Sequence, residues 1–323
     1  MDVELAQLQR AEDVAAAPLH CSYTPREPVG LRLTLGILGR GPHDPTTQWD
    51  AAGLWRTFLT PLGAATLRLT QTRFGVDATA WGPGAQWALD GLPDLLGASD
   101  DWSGLDVSAH PLLAQARRRA VGLRLTRTRR VFEALAPAVI EQRVTSLEAY
   151  RSWARLVRAH GTAAPGPAPD GMRVAPSAEV WRRIPSWEWH RTGVDPRRSR
   201  ALVTAAGVAT GLERTAERNG GAVLSGAVVA ARLCSVSGIG VWTAAETAQR
   251  AHGDPDAISV GDYHLASIVG YALTGSATDD DGMLELLNPW AGQRQRVVRL
   301  IGVSGVMPPR RGPRATITDH RRH

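Results

Sequence analysis

Apolar and polar positions alternate in the first third of the chain. The segment Leu31–Gly41, LRLTLGILGRG, alternates leucine with polar residues, and a period of two residues is typical of a strand. Thr66–Thr70 repeats the pattern, and Arg73–Trp81 is a third candidate strand. Gly82-Pro83-Gly84 signals a turn, and Ala85–Leu89 after it is a further candidate strand. The pattern therefore predicts a small antiparallel sheet accompanied by one or two helices.

From about residue 106 the apolar spacing changes to that of helices. Three segments carry it: His110–Ala120, Arg129–Gln142 and Ser146–His160. Asp195 followed by proline is a helix start signal, because aspartate caps a helix and proline fits its first position. The first turn of that helix carries arginines that we expect to face phosphates: Arg197, Arg198 and Arg200.

These patterns together predict an α+β protein with two domains. A small antiparallel sheet domain over residues 30–105 is followed by a mostly helical domain over residues 106–307. Residues 1–29 are expected to form an N-terminal arm, and residues 308–323 a disordered basic tail. A chain of 323 residues is long enough to bury a core in each domain. The N-terminus has no apolar signal core and no apolar run approaches a membrane span, so we expect a cytoplasmic protein, associated with the nucleoid and without a membrane partner.

The charge of the chain comes from an unusual choice of residues. All 37 basic residues are arginine, and the formal net charge is +6. Arginine suits bidentate contacts with phosphates, although a GC-rich genome produces the same bias. The two cysteines, Cys21 and Cys234, are too few for a four-cysteine iron–sulfur cluster.

The stretch from Leu233 to Leu265 holds the candidate chemistry. Gly238-Ile239-Gly240 permits a tight backbone turn, and a helix is predicted from Val241 to about Ala251. Backbone N–H groups at such a turn, next to a helix N-terminus, form an anion site. After a loop, Asp262 stands at the start of another helix, within reach of a phosphate held by the turn.

This stretch resembles the helix-hairpin-helix DNA glycosylases. The matching residues are Val236–Ala244, VSGIGVWTA, and Val260–Tyr263, VGDY. The closest likeness is to the bacterial inducible 3-methyladenine, or alkylpurine, branch. It extends over roughly Ala109–Gly305, includes Pro289-Trp290, and is weaker over the N-terminal sheet domain. The resemblance implies a glycosylase that binds double-stranded DNA.

The resemblance assigns a role to each of several residues. It implies that Asp262 drives base excision and that Arg143 is the wedge that fills the gap left by the extruded base. It implies that the base pocket is formed by Trp242, Glu246, Tyr263 and Trp290. It implies that a DNA phosphate is bound at the hairpin by Gly238, Ile239, Gly240, Val241 and Thr243. It also implies that a monovalent cation is held by the backbone carbonyls of Cys234, Val236 and Ile239, with no other cofactor.

The implied reaction is hydrolysis of the N-glycosidic bond of a flipped alkylated purine, of the 3-methyladenine or 7-methylguanine type. The chain has no lysine, and a glycosylase that also cuts the strand needs an amine to form a Schiff base. We therefore expect a monofunctional enzyme of base excision repair. We also expect it to be a monomer. The alternatives are a glycosylase for deaminated or bulky purine adducts, and a noncatalytic DNA-binding protein.

Several residues also have structural explanations. The alternative for Asp262 is that it only caps the helix that it precedes. Trp242 could instead pack in the core, and Arg143 could lie as a solvated charge. Glu246 stands where the alkylpurine branch is often aromatic. If it faces the pocket, it favours a different purine lesion, and if it faces outward, it is an ordinary helical glutamate. The run Asp279–Asp281 suits a helix N-terminus better than a metal site.

Overall fold

The computed structural model describes residues 17–217 and 223–309, and its architecture is α+β, as predicted. A five-stranded sheet with accompanying short helices comes first, and a helical region follows. Residues 1–16 of the expected arm, and the basic tail from residue 310 onward, lie outside the described residues.

The sheet is antiparallel throughout, in the order β1-β5-β4-β3-β2. Its strands are β1 (Leu19–Tyr23), β2 (Thr47–Trp49), β3 (Gly53–Thr60), β4 (Gly63–Gln71) and β5 (Val76–Trp81). The sheet thus begins before residue 30, because Leu19 pairs opposite Ala80 and the rest of β1 follows in register. Part of the stretch predicted as an arm is therefore an edge strand. A separate ribbon pairs β6 (Thr162–Ala163) with β7 (Arg173–Val174).

Two segments predicted as strands are helical. Leu31–Gly41 forms helix α1 (Leu31–Leu35) and a 3-10 turn (Gly36–Leu38). The buried residues of this helix and turn are Leu31, Thr34, Leu35 and Leu38, and their i, i+3, i+4, i+7 spacing places them on one side of a helix. Ala85–Leu89 likewise lies in helix α2 (Ala85–Asp90), which buries Ala85, Ala88 and Leu89. Both segments form helices because a helix buries their apolar residues on one face, although the two-residue alternation had predicted strands.

The short helix α3 (Leu92–Leu95) still packs with the sheet. The second part of the chain begins with α4 (Pro111–Arg119), α5 (Val131–Ile140), α6 (Ser146–His160), α7 (Ala178–Arg183), α8 (Ser186–Thr192), α9 (Pro196–Gly207) and α10 (Ala209–Glu213). After residue 222 come α11 (Gly226–Cys234), α12 (Val241–Ala251), α13 (Leu265–Thr274), α14 (Asp280–Leu287) and α15 (Arg294–Ser304). Within the described ranges, no helix combines the length and the apolar character needed to cross a bilayer.

The helical core lies beneath the glycine turn. Residues of α5, α6, α9, α11 and α12 share one buried cluster, which includes Ile239 of the turn itself. A second cluster joins α13, α14 and α15 to α4. The loop that carries Asp262 joins α12, which packs in the first cluster, to α13, which packs in the second.

Candidate active site

The glycine turn between α11 and α12 is set by backbone geometry and packing. Gly238 has a φ of +88°, and a Cβ atom there would stand 2.5 Å from the Cβ of Ala201 on α9. Ile239 is only 4% exposed, and its N–H donates to the carbonyl of Val236 at 3.0 Å. The turn therefore needs glycine at position 238 and is anchored to the core by the side chain that follows.

The start of α12 is open for an anion. Gly240 is the N-cap, with extended backbone and no capping side chain, and no atom lies within 4 Å of the place where its Cβ would be. The first N–H groups of a helix have no intrahelical partner and mark the positive end of its dipole. The first amides of α12 therefore follow an N-cap that is open to a ligand.

Three of the five residues expected to bind DNA are exposed at this turn: Gly238, Gly240 and Val241. Ile239 and Thr243 are different. The N–H of Ile239 is engaged by Val236, and the side chain of Thr243 is 2% exposed and accepts a hydrogen bond from Gln142. Their side chains are buried and support the turn from inside, so a contact of either residue with a phosphate would involve its backbone.

The arginines at the start of α9 lie beside the turn, because Ala201 of the same helix contacts it. Arg197 and Arg200 are exposed and can add positive charge there. Arg198 is 5% exposed and donates to the carbonyls of Ile140 and Gly193 and to the Asp195 carboxylate. The prediction that Arg198 faces phosphates is therefore wrong, because its guanidinium forms hydrogen bonds inside the protein.

Asp262 lies next to the hairpin helix. Its Oδ2 accepts the indole N–H of Trp242 at 3.0 Å, and its Oδ1 accepts the backbone N–H groups of His264 and Leu265 at 2.9 and 3.0 Å. The aspartate thus caps the start of α13 and also contacts α12, and its role in base excision stays a prediction. The carboxylate is partly exposed and fixed in orientation, which suits it to stabilise positive charge on a bound group.

Glu246 is directed into the protein. Its Oε1 accepts the hydroxyl of Ser259 at 2.5 Å and its Oε2 accepts Arg250 at 2.7 Å. Burial alone would raise the pKa of this carboxyl, but Arg250, the Ser259 hydroxyl and Arg40 together hold its pKa below the usual value. With both oxygens committed, Glu246 is a structural anchor, which departs from the expected pocket role.

This anchor fixes the loop that carries Asp262. The carbonyl of Ser259 accepts the backbone N–H of Asp262 at 3.1 Å, and Gln249 donates to the Ser259 hydroxyl. From the other side, Asp280 accepts the N–H of Gly261 at 3.0 Å. Among the described residues no group of histidine, cysteine, aspartate or glutamate has the arrangement of a metal site, and the aspartate run at 279–281 serves helix capping and this loop.

Replacing Glu246 by alanine should lower the free energy of unfolding by about 3 kcal/mol, because a buried guanidinium loses its partner. Arg250 is 8% exposed and Arg40, close by, is 4% exposed. Urea unfolding measures the change, and replacing the exposed Glu285 by alanine is the control. A Glu246→Ala protein of normal stability but altered base preference would show that this side chain reads the base.

The two remaining aromatic candidates lie in different surroundings. Tyr263 is 92% exposed, and its ring meets only the edge of His264, at 4.7 Å between centroids, among the described ring contacts. The Trp290 indole donates to the carbonyl of Asp106 at 2.7 Å and packs against the cluster of α13–α15. The structure therefore brings Trp242 to Asp262, leaves Tyr263 exposed next to it in the chain, and bonds Trp290 to the segment that precedes α4.

The turn between α5 and α6 carries Arg143 and one residue that the sequence did not single out. Arg143 is exposed and has a φ of +55°. Gln142 before it donates to the carbonyl of Gly238 at 3.0 Å and to the hydroxyl of Thr243 at 2.9 Å. Arg143 thus lies beside the hairpin because its neighbour Gln142 is bonded there. The bonded residues are about a hundred positions apart, so no local sequence pattern predicts this contact.

Comparison by sequence finds no matching family model and no matching curated protein. Comparison by structure does find proteins with a similar fold. The 3-methyladenine DNA glycosylase from Archaeoglobus fulgidus superposes with a TM-score of 0.69 at 15% identity, covering 89% of this chain and 98% of that one. The chain has the fold of a DNA glycosylase.

A second likeness confirms the glycosylase fold. The 8-oxoguanine glycosylase/lyase of Clostridium acetobutylicum, in complex with double-stranded DNA, superposes with a TM-score of 0.65 at 12% identity. The match covers 86% of this chain and 91% of that one. Its apo form gives a TM-score of 0.64 at 11% identity. The glycosylase fold thus extends over the sheet and the helical region alike.

Proposed function

We propose that this protein is a DNA glycosylase that acts on damaged bases in double-stranded DNA. The observation that carries the proposal is the hydrogen bond between Trp242 and Asp262, which puts a fixed, accessible carboxylate beside a helix whose first amides are open to a phosphate. The likeness to glycosylases of two different specificities supports the reaction class.

The reaction follows from these positions. A base inside the duplex is out of reach, so the nucleotide is first extruded, with the flanking phosphate held at Gly240 and Val241. Loss of the base leaves positive charge on the sugar, and the Asp262 carboxylate stabilises that charge and orients the attacking water. Trp242 and two backbone amides hold the carboxylate in place.

We propose alkylated purines of the 3-methyladenine or 7-methylguanine type as the substrates. Such bases are cationic, so they leave readily and stack favourably on aromatic faces. Trp242 lies against Asp262, and Tyr263 is exposed next to it. The argument for a deaminated base rested on Glu246 reaching the pocket, and its carboxylate is bonded to Ser259 and Arg250 instead.

The product is an abasic site in an intact strand. No lysine is present in the 323 residues, so no lysine amine is available for a Schiff base and strand cleavage. We further propose that Arg143 enters the gap left by the extruded base, and that the enzyme acts as a monomer in the cytoplasm.

We also propose that a monovalent cation binds at the hairpin. Backbone carbonyl oxygens are hard ligands suited to such an ion, and the proposed ones belong to Cys234, Val236 and Ile239. The Val236 oxygen accepts the N–H of Ile239 and retains a second lone pair. The ion would add positive charge below the phosphate. Both cysteine thiols are free and exposed, and we propose no iron–sulfur cluster.

The test is release of free base from methylated duplex DNA, identified by mass spectrometry. We expect 3-methyladenine and 7-methylguanine to be released, with strand breaks appearing only after alkali. An 8-oxoguanine duplex and an unmodified duplex are the controls. Tight duplex binding without release from any damaged substrate would establish the noncatalytic alternative instead, and release of deaminated or bulky purines alone would establish the other specificity.

A further inference from the structure

We propose that Gln142 is a positioning residue that fastens the insertion turn, residues 141–144, to the phosphate-binding hairpin. Binding of the DNA phosphate by the hairpin and insertion of the turn into the DNA base stack are then coupled. The inference rests on the proposed function, and it adds to it a link between the two DNA-contacting elements.

The bonds of Gln142 single it out. A glutamine amide nitrogen has two N–H donors, and here both are used, toward the carbonyl of Gly238 and the hydroxyl of Thr243. The first acceptor is the left-handed glycine of the hairpin and the second lies in the first turn of α12. Since Thr243 is 2% exposed, the Gln142 side chain that bonds to it reaches into the hairpin and does not lie over its surface.

The rest of the insertion turn is held from other directions. Arg198 donates to the carbonyl of Ile140 at 2.7 Å, and Arg40 pairs with Glu141 at 3.0 Å. On the far side, Thr145 and Glu148 form a capping box that begins α6. These contacts fix both ends of the turn to the helical and sheet parts, and Gln142 joins its middle to the hairpin.

This arrangement presents Arg143 to DNA. Its backbone is left-handed, with a φ of +55°, which is unfavourable for a residue with a Cβ atom and persists only where the surroundings enforce it. Arg143 is exposed, directly beside a residue bonded to the hairpin. Its guanidinium plane suits stacking on bases. The strain is thus located where an inserting side chain needs a defined direction.

The experiment is a double-mutant cycle on base extrusion. Gln142→Met keeps the length of the side chain and removes both donors, and Arg143→Ala removes the inserting group. Extrusion is read as the fluorescence rise of 2-aminopurine placed beside a tetrahydrofuran abasic analogue in a duplex. We expect each single change to lower the extrusion equilibrium about tenfold, and the double change to lower it no further than either alone.

Two comparisons separate positioning from general stability. Gln115→Met makes the same change at an exposed site on α4 and should alter neither fluorescence nor urea unfolding. Thr243→Val, which loses the acceptor hydroxyl, should reproduce the Gln142→Met defect, and Thr243→Ser should restore extrusion relative to it.

The outcomes are independent of catalysis. If the losses from Gln142→Met and Arg143→Ala multiply in the double variant, or if Gln142→Met extrudes normally, the link is refuted even when damaged bases are excised. If the cycle is non-additive and no damaged base is ever released, the link stands and the glycosylase proposal falls.

Discussion

Replacing Asp262 by asparagine is expected to lower the rate of base release by at least about 100-fold, while duplex binding stays within about twofold of the parent protein. Asparagine keeps the shape of the side chain and an oxygen that can accept the amide N–H groups of His264 and Leu265. It lacks the negative charge that stabilises the sugar cation. Single-turnover release of 3-methyladenine from methylated duplex, with excess protein, measures the chemical step directly.

The matched control is Asp281→Asn, which neutralises an exposed aspartate in the first turn of α14. It changes the net charge by the same amount and should leave the rate unchanged. Full excision by Asp262→Asn would contradict the mechanism while leaving the reaction class open. A fall in duplex affinity as large as the fall in rate would indicate that Asp262 acts chiefly through the capping of α13.

Local signals explain which elements were predicted well. Ser146–His160 and Val241–Ala251 form helices with the predicted bounds, because a Thr145 capping box and a glycine turn mark their starts. Leu31–Gly41 was predicted wrongly because its leucines satisfy both periods. The helix prevails since Leu31, Leu35 and Leu38 then pack together in the sheet core.

The site was only partly visible in the sequence for a similar reason. The motif residues Trp242 and Asp262 do meet. Gln142, Ser259 and Asp280 were missed: each acts by a hydrogen bond to a backbone or side chain that the fold alone brings near. Glu246 was predicted to line the pocket because helical spacing shows which face of α12 a residue lies on. It does not show which other elements pack against that face.

A single methyl group at either glycine of the hairpin should weaken DNA binding, but only the one at Gly238 should also destabilise the fold. Gly238→Ala places a Cβ 2.5 Å from the Cβ of Ala201 and keeps a φ of +88°, so either the turn or α9 must shift. We expect the free energy of unfolding to fall by about 2–3 kcal/mol. Duplex affinity should fall at least about tenfold, because the amides of α12 lose their direction.

Gly240→Ala has neither problem, since its backbone is extended and its Cβ would meet open space. Unfolding should change by less than about 1 kcal/mol. Duplex affinity should nevertheless fall about tenfold, because the methyl group stands where a phosphate approaches the first amides of the helix. Urea unfolding and fluorescence-anisotropy titration of a duplex separate the two effects. Normal duplex affinity in Gly240→Ala would place the phosphate elsewhere, and the hairpin would then be a support for Asp262 and Arg143 without being itself a contact to DNA.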